Sequence, residues 1–289
     1  MNILVTGASG QLGQTLQNYV KEHNITIHKF YFTTRKELDI SQCFIAKDYV
    51  VDNNIDVIIN CAAYTDVKKA QNEVLEAFNL NAFAPSMLPL QYMFNTKAKL
   101  IHISTDFVFD GEKKEPYTVN DKPYPINAYG WSKYLGELYL SSQGLEQDTM
   151  IIRVSWLFSP HGKNFFNTVK NLVTNDKTMS VVNDQIGCPT YTYDLAELLI
   201  NIIDNYEDSH LWKNGLYQFT NNGNCSWYEF AKEIAKYYGK EDKILPTTTE
   251  EYGDPVKRPK YSVMENNIKK TRSWKDAVKD CYEKSIKNN

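Results

Sequence analysis

What the 289-residue sequence lacks narrows the field first. No stretch approaches the roughly 18 consecutive apolar residues of a membrane-spanning helix, so no membrane partner is expected. The five cysteines (Cys43, Cys61, Cys188, Cys225, Cys281) are scattered, with no Cys-x-x-Cys pair among them. Neither a bound metal nor a disulfide framework is therefore expected, and reduced thiols are the simpler state. A basic excess is missing as well: 32 Lys+Arg against 35 Asp+Glu give a formal net charge of -3. Nucleic-acid binders usually carry a clear positive surplus, so nucleic acid is not an expected partner. Internal repeats and low-complexity tracts are absent. The first residues pass from Met1-Asn2 into Ile3-Leu4-Val5 without a signal-peptide pattern, and a cytoplasmic protein is the expectation. With 42% hydrophobic and 23% charged residues, the chain has room for one full α/β domain and a smaller lobe.

The first half alternates short β-branched runs with longer helical stretches. Strands are expected at 3–6, 25–32, 56–60, 99–104 and 150–156. Helices are expected at 11–22, 41–54, 67–94 (with breaks near Pro85 and Pro89) and 129–142. Continuous apolar strands, each followed by a helix, mark a parallel sheet covered on both faces. Further on, helices are expected at 164–174, 194–205 and 227–238, and strands at 180–182 and 216–220. Ser226 and Glu229 form a capping box, and Ser273 caps the last helix. The fold class is α/β: a Rossmann-like doubly wound parallel sheet with a smaller mixed α/β lobe. Residues 1–156 and 183–205 are assigned to the dinucleotide-binding domain, and 157–182 and 206–289 to the lobe.

Directly after the first strand comes a Gly-x-x-Gly-x-x-Gly loop, with Gly7, Gly10 and Gly13 around Gln11 and Leu12. A tight strand-to-helix turn needs glycine where φ is positive or where backbone approaches a pyrophosphate, and the following helix N-terminus favours an anion. A reductase built on this loop also needs a proton donor. Tyrosine is too weak an acid for that role unless a cation lowers its pKa, and a Lys one helical turn later lies on the same face. Tyr-x-x-x-Lys occurs three times among the 20 tyrosines: Tyr64/Lys68, Tyr129/Lys133 and Tyr228/Lys232. The third falls on the capped helix of the lobe. Tyr64/Lys68 follows a sheet strand and is the competitor. Tyr129/Lys133 opens the helix after a loop of about two dozen residues, long enough to suggest function. Thr105, at the end of the preceding strand, adds a hydroxyl, giving the catalytic set Tyr129, Lys133 and Thr105. His102 and Cys61 sit in buried strands and read as packing.

Cofactor choice is written after the second strand. An NAD site places an acid there against the ribose 2′-hydroxyl. Here Thr33-Thr34-Arg35 follow, with no acid before Glu37. Thr34 and Arg35 suit a 2′-phosphate, and Asp39 and Ile40 flank the adenine. NADPH is expected to be preferred, with nothing that excludes NADH.

The glycine loop, Cys61-Ala62-Ala63-Tyr64-Thr65, the run from Ser104-Thr105-Asp106-Phe107 to Gly111, and Tyr129-Gly130-Trp131-Ser132-Lys133 together resemble the dTDP-4-dehydrorhamnose reductase family. So do Arg153-Val154-Ser155-Trp156-Leu157, Asn164-Phe165, Asp184-Gln185-Ile186-Gly187-Cys188-Pro189-Thr190 and Arg258-Pro259-Lys260-Tyr261-Ser262. The match spans the chain, in the family's order. It implies NADPH-dependent reduction of the C4 keto group of dTDP-4-dehydro-L-rhamnose to dTDP-L-rhamnose, for polysaccharide biosynthesis. It also implies that Ala62, Ala63, Tyr64 and Thr65 line the cofactor. Val67, Thr105, Asp106, Trp156, Asn164 and Gln185 would surround the sugar nucleotide, and Arg258 would meet its diphosphate. Phe107 stands where the family usually has Tyr, and Lys68 and Gln71 replace acidic residues. Phe107 keeps open a reductase of another nucleotide-linked 4-keto-6-deoxysugar, and a non-catalytic regulatory subunit shares the fold. Some members carry a glutamate linked to Mg²⁺ and to dimer formation just after the loop. Gln14 and Thr15 stand there instead, so the resemblance brings neither Mg²⁺ nor that dimer with it, and a monomer or a homodimer fits equally.

Overall fold

The structure is a computed structural model, and it describes residues 1–90, 98–142, 149–205 and 215–287. Its centre is a six-stranded parallel sheet: β1 (Asn2–Thr6), β2 (Lys29–Thr33), β3 (Val57–Asn60), β4 (Lys99–Thr105), β5 (Thr149–Val154) and β6 (Gly215–Phe219). The order across the sheet is β2-β1-β3-β4-β5-β6. Because β2 and β3 flank β1, the connections after β1 and β3 diverge and leave a crevice at the carboxyl end of β1, where open α/β sheets place ligands.

The strands are buried on both faces, as their continuous apolar runs require. Ile3 and Val5 point to one side, with Ile59, Ile101 and Ile152; there they meet Leu12 and Leu16 of α1 (Gln11–Glu22) and Leu195 and Leu199 of Thr192–Asp204. Leu4, Ile58, Leu100 and Ile151 point to the other, against Val50 of α2 (Cys43–Asp52) and Leu140 of α3 (Ala128–Ser142). A separate core holds the lobe together: Phe158, Phe166, Val169, Phe230, Ile234, Trp274 and Val278.

Several expectations needed correction. The second strand begins at Lys29 rather than at residue 25, because β1 starts at Asn2 and pairs with Lys29; Ile27 lies outside the ladder, 72% exposed. Residues 215–219, assigned to the lobe, pair in parallel with β5 and complete the main sheet. The helical stretch from 67 breaks at 71–73 rather than at its prolines: Val67–Ala70 ends, and Val74–Phe78 runs through a π-turn, Asn79–Phe83, into Ala84–Leu90. In a regular helix the ring of Pro85 would strike the carbonyl of Asn81, and the wider turn avoids this. That carbonyl lies instead against Gly136 of α3, leaving no space for a Cβ. The end of the expected helix, 91–94, lies outside the described residues.

α3 is clamped from below by a buried ion pair. Arg153 of β5 donates through Nε and Nη2 to Glu137, at 2.9 and 2.6 Å, and Ser104 of β4 donates to the same carboxylate. Removing one partner of such a pair leaves a buried charge uncompensated, whereas removing both does not. Arg153→Met should therefore cost about 3–5 kcal/mol in urea unfolding, and Glu137→Leu/Arg153→Met should be more stable than that single variant. A double variant no better than the single would contradict the assigned role of the pair.

Candidate active site

Three connected cavities form one trough across the carboxyl ends of the strands. The first, about 450 Å³, is lined by Gly7, Gly10, Arg35, Asp39, Ile40, Ala62, Ala63, Tyr64 and Thr65. The second, about 480 Å³, shares Gly7, Gly10, Ala63 and Thr65 with it and adds Gln11, Leu12, Gly13, Thr105, Asp106, Tyr129, Lys133 and Trp156. The third, about 570 Å³, shares Val67, Lys163, Trp227 and Arg258 with the second and adds Asn164 and Gln185. Of the residues assigned from the sequence to catalysis, cofactor or substrate, only Thr34 lines none of the three.

The glycines do different work. Gly7 has φ +66, and an added Cβ would stand 2.7 Å from the Ala62 nitrogen. Gly13 is excluded from carrying a side chain by Ala8 and the Gly7 carbonyl, both 2.6 Å from where its Cβ would be. Gly10 is the N-cap of α1 in an extended conformation, and no side chain caps it. The first-turn N–H groups of α1 are left for a ligand, with no acidic residue in that turn. The buried Gln11 Oε1 has no partner among the described residues. Uncapped donors and the glycine cradle fit a dinucleotide diphosphate.

At the centre, Tyr129 is buried beneath the edge of Phe107, ring centroids 5.4 Å apart, and hydrogen-bonds to Thr105. Burial pushes its phenol up to about 12; the Asp106 charge adds to this and the Thr105 bond opposes it. The expected lowering by Lys133 is not seen, because the ammonium turns towards β4. Its Nζ donates to the Ile103 carbonyl at 2.7 Å and lies 3.2 Å from His102 Nε2, and burial brings Lys133 down to about 8. The competing pair is not a pair. Tyr64 donates to Glu73, and Lys68 sits 3.6 Å from Asp254. Tyr228/Lys232 lies on the lobe helix Trp227–Lys236, outside the trough lining.

Asp106 receives hydrogen bonds from Thr105 and Ser155, both at 3.1 Å, and from Ser262 of the lobe. Trp156 adopts φ +46, stacks on Trp227 at 3.6 Å and presses on Gly187, an unusual backbone for an aromatic residue. The side chain of Asn164 is occupied as a helix cap, accepting from Asn167 N and donating to the Ser159 and His161 carbonyls. Gln185 donates to Thr249 at 3.0 Å. Arg258 donates to Asp254 at 3.0 Å.

The cofactor end differs from expectation in one respect. The turn after β2 folds Glu37 back, so that it accepts from both Thr34 N and Oγ1 at 2.8 and 2.9 Å. Arg35 is held by Asp39 at 3.2 Å and reaches Glu76 at 3.5 Å. Glu37, the first acid after the strand, is thus brought back against Thr34.

Other residues in the site escaped the sequence reading. Asn127 caps α3 through Gly130 N and donates to the Lys257 carbonyl, which joins α3 to the lobe; its place just before a helix was the available signal. Gln71 accepts from Ala128 N at the same helix end. The fully buried Asn81 pairs with both backbone groups of Tyr64 and donates to Ser132, a contact that needs the π-turn and has no local signature. Lys163 and Trp227 line the trough only because the lobe folds over it.

The Asp106 cluster makes a testable claim. Burial raises its carboxyl from 3.8 to about 6, so the ionised form costs the folded state stability above pH 6, a cost that disappears below about pH 4. Asp106→Asn should therefore be stabilised on the order of 3 kcal/mol at pH 7.5 by urea unfolding, and by nothing comparable at pH 4. A gain independent of pH would contradict the strained carboxylate.

The family model described as "RmlD substrate binding domain" matches residues 1–286. The spore coat polysaccharide biosynthesis protein SpsK of Bacillus subtilis (strain 168) is 36% identical, over 96% of this chain and 95% of its own length. The crystal structure of a dTDP-4-dehydrorhamnose reductase from Clostridium acetobutylicum superposes with TM-score 0.89 at 37% identity, covering 98% of this chain and 99% of that one. The dTDP-4-dehydrorhamnose reductase of Bacillus anthracis str. Ames, solved in complex with NADP, also gives 0.89, at 35% identity and the same coverage. With the family model matching nearly from end to end and the trough built from its motifs, the chain belongs to the RmlD substrate-binding-domain family.

Proposed function

We propose that this chain is an NADPH-dependent dTDP-4-dehydrorhamnose reductase, which reduces the C4 keto group of dTDP-4-dehydro-L-rhamnose to give dTDP-L-rhamnose. The observation that carries this reading is the order of groups along one trough. An uncapped helix N-terminus and glycine cradle stand first, a buried Tyr129, Thr105 and Lys133 at the middle, and Lys163 and Arg258 beyond. Relatives bearing the reductase name, and one solved with NADP, support it.

Gly7, Gly10 and the first turn of α1 hold the cofactor diphosphate, and Ala62, Ala63, Tyr64 and Thr65 form the wall beside it. Arg258 and Lys163 meet the diphosphate of the sugar nucleotide, Arg258 through a guanidinium suited to two oxygens at once. Bound NADPH supplies the hydride. Thr105 and Tyr129 converge on the keto oxygen, and Tyr129 passes it the phenolic proton as C4 becomes tetrahedral. Burial keeps Tyr129 protonated until that moment, and Lys133, one turn along α3 with its ammonium on the Ile103 carbonyl, holds the cofactor ribose in place. Trp156 and Trp227 form an aromatic wall for the sugar nucleotide.

NADPH oxidation at 340 nm with dTDP-4-dehydro-L-rhamnose, and product configuration by NMR, test the activity. Tyr129→Phe should lower turnover roughly 10²–10⁴-fold with little change in cofactor affinity. Tyr64→Phe should leave turnover near its starting value; the reverse pattern would move the acid to Tyr64. In the unmodified enzyme kcat/KM should fall as pH rises through about 8, where Lys133 loses its proton, while Tyr129 stays protonated. A profile flat to pH 10 would remove Lys133 from the mechanism.

The 2′-phosphate must compete with Asp39 and Glu76 for Arg35. Arg35→Ala should reduce the kcat/KM ratio of NADPH to NADH, and Glu76→Gln should raise it. Equal ratios in the two variants would show that Arg35 does not select the cofactor.

A further inference from the structure

Lys133 is ordinarily explained by its spacing from Tyr129, yet its own support lies on the sheet. Three side chains stand side by side on neighbouring strands at the carboxyl edge: Thr6 on β1, Asn60 on β3 and His102 on β4, paired in register. All three are buried. Thr6 Oγ1 is 2.7 Å from the Asn60 amide, the same amide is 3.0 Å from His102 Nδ1, and His102 Nε2 is 3.2 Å from Lys133 Nζ. The row is a continuous polar chain that runs through the interior of the sheet and ends on the lysine. A histidine present only for packing has no need of it.

We propose that His102 is a positioning residue for Lys133: its Nε2 accepts a hydrogen bond from the Lys133 ammonium, while Asn60 fixes the ring through Nδ1–H. The proposal rests on the assignment of Lys133 to the catalytic centre. Burial and the neighbouring Lys133 charge hold His102 neutral, well below its ordinary value, so one ring nitrogen is an acceptor. An ammonium only donates, so that acceptor is Nε2 and the hydrogen sits on Nδ1. This requires the Asn60 side-chain oxygen and nitrogen to be exchanged at the same positions, so that the oxygen accepts from the ring and the nitrogen, which otherwise faces it, donates to Thr6 Oγ1. Of the three ammonium hydrogens, one goes to the Ile103 carbonyl and one to His102, which leaves the third for the trough that Lys133 lines. The other groups facing Lys133 are Cys61 after β3 and Glu137 on its own helix, with Glu137 already bound to Arg153 of β5. His102 therefore supplies the neutral acceptor that sets where the charge points.

Nitrogen-15 NMR of histidine-labelled, ligand-free protein reads the tautomer without any substitution at Lys133. The expected signal for His102, assigned by its loss in His102→Gln, is a neutral ring with hydrogen on Nδ1, unchanged between pH 5 and 8. Hydrogen on Nε2, or titration of the ring in that interval, would overturn the proposal. His102→Leu should lower kcat roughly 10–100-fold, the scale on which partners behind an active-site ligand act. It should also move the alkaline limb of kcat/KM to lower pH, because a buried ammonium deprived of an acceptor gives up its proton more readily. His102→Gln, whose Oε1 replaces the acceptor, should restore most of both. A His102→Leu enzyme with the wild-type pH limb, or a His102→Gln enzyme no better than it, would sink the proposal. Lys133→Met separates the two levels. Full turnover in that variant defeats the catalytic assignment itself, whereas loss there beside a silent His102→Leu defeats only the role of His102.

Discussion

A carboxylate taken out of water must find donors, and Asp106 finds them on three separate parts of the chain. Thr105 comes from its own strand, Ser155 from just after β5, and Ser262 from the lobe segment that also carries Arg258. The cost of burying the charge raises its pKa and at the same time draws those parts to one point. Thr105 is oriented by this contact, Tyr129 packs beside it, and the lobe is held against the carboxyl end of the sheet. Asn127 adds a second tie, from the start of α3 to the Lys257 carbonyl. The proposed catalytic centre is the place where sheet and lobe are fastened together, so the geometry of one depends on the fit of the other.

The two ends of the trough are charged differently. Around Arg35 and Lys69 the first cavity gathers Asp39, Asp66, Glu73 and Glu76. The far cavity gathers Lys68, Lys163 and Arg258 around Asp66 and Asp254. Asp254 already engages Lys68 and Arg258, and its carboxyl is held below the ordinary value mainly by hydrogen bonds from Val256 N and Arg258 that outweigh its burial. On the proposed reading, an incoming diphosphate would replace the Asp254 carboxylate at these cations. The replacement of acidic residues by Lys68 and Gln71 acquires a physical sense here. Lys68 adds to the cationic end, and Gln71 holds the first N–H of α3.

Much of this was legible from local pattern. Continuous apolar runs announced buried parallel strands, the glycine spacing announced the crevice, and the long loop before Tyr129 marked the helix that carries it. Contacts between residues far apart in sequence were not legible. The sixth strand was misplaced because Gly215–Phe219 has no local feature that says which sheet it joins; only pairing with β5 does. That Glu37 folds back onto Thr34 depends on the tight turn after β2, which the order of residues alone does not show. His102 was read as packing because burial is visible in a strand pattern, while the neighbouring Asn60 and Lys133 are not. Asn164, expected around the sugar nucleotide, lines the third cavity while its amide caps a helix.

The central claim is that a single trough seats both ligands with Tyr129 between them. A crystal structure with NADP⁺ and dTDP-L-rhamnose bound together tests it most directly. The account predicts the nicotinamide ring and the Tyr129 hydroxyl on the sugar C4 and its oxygen, with the nucleotide diphosphate against Arg258 and Lys163. A sugar nucleotide bound outside the trough, or one whose C4 oxygen meets Tyr64 instead, would contradict it.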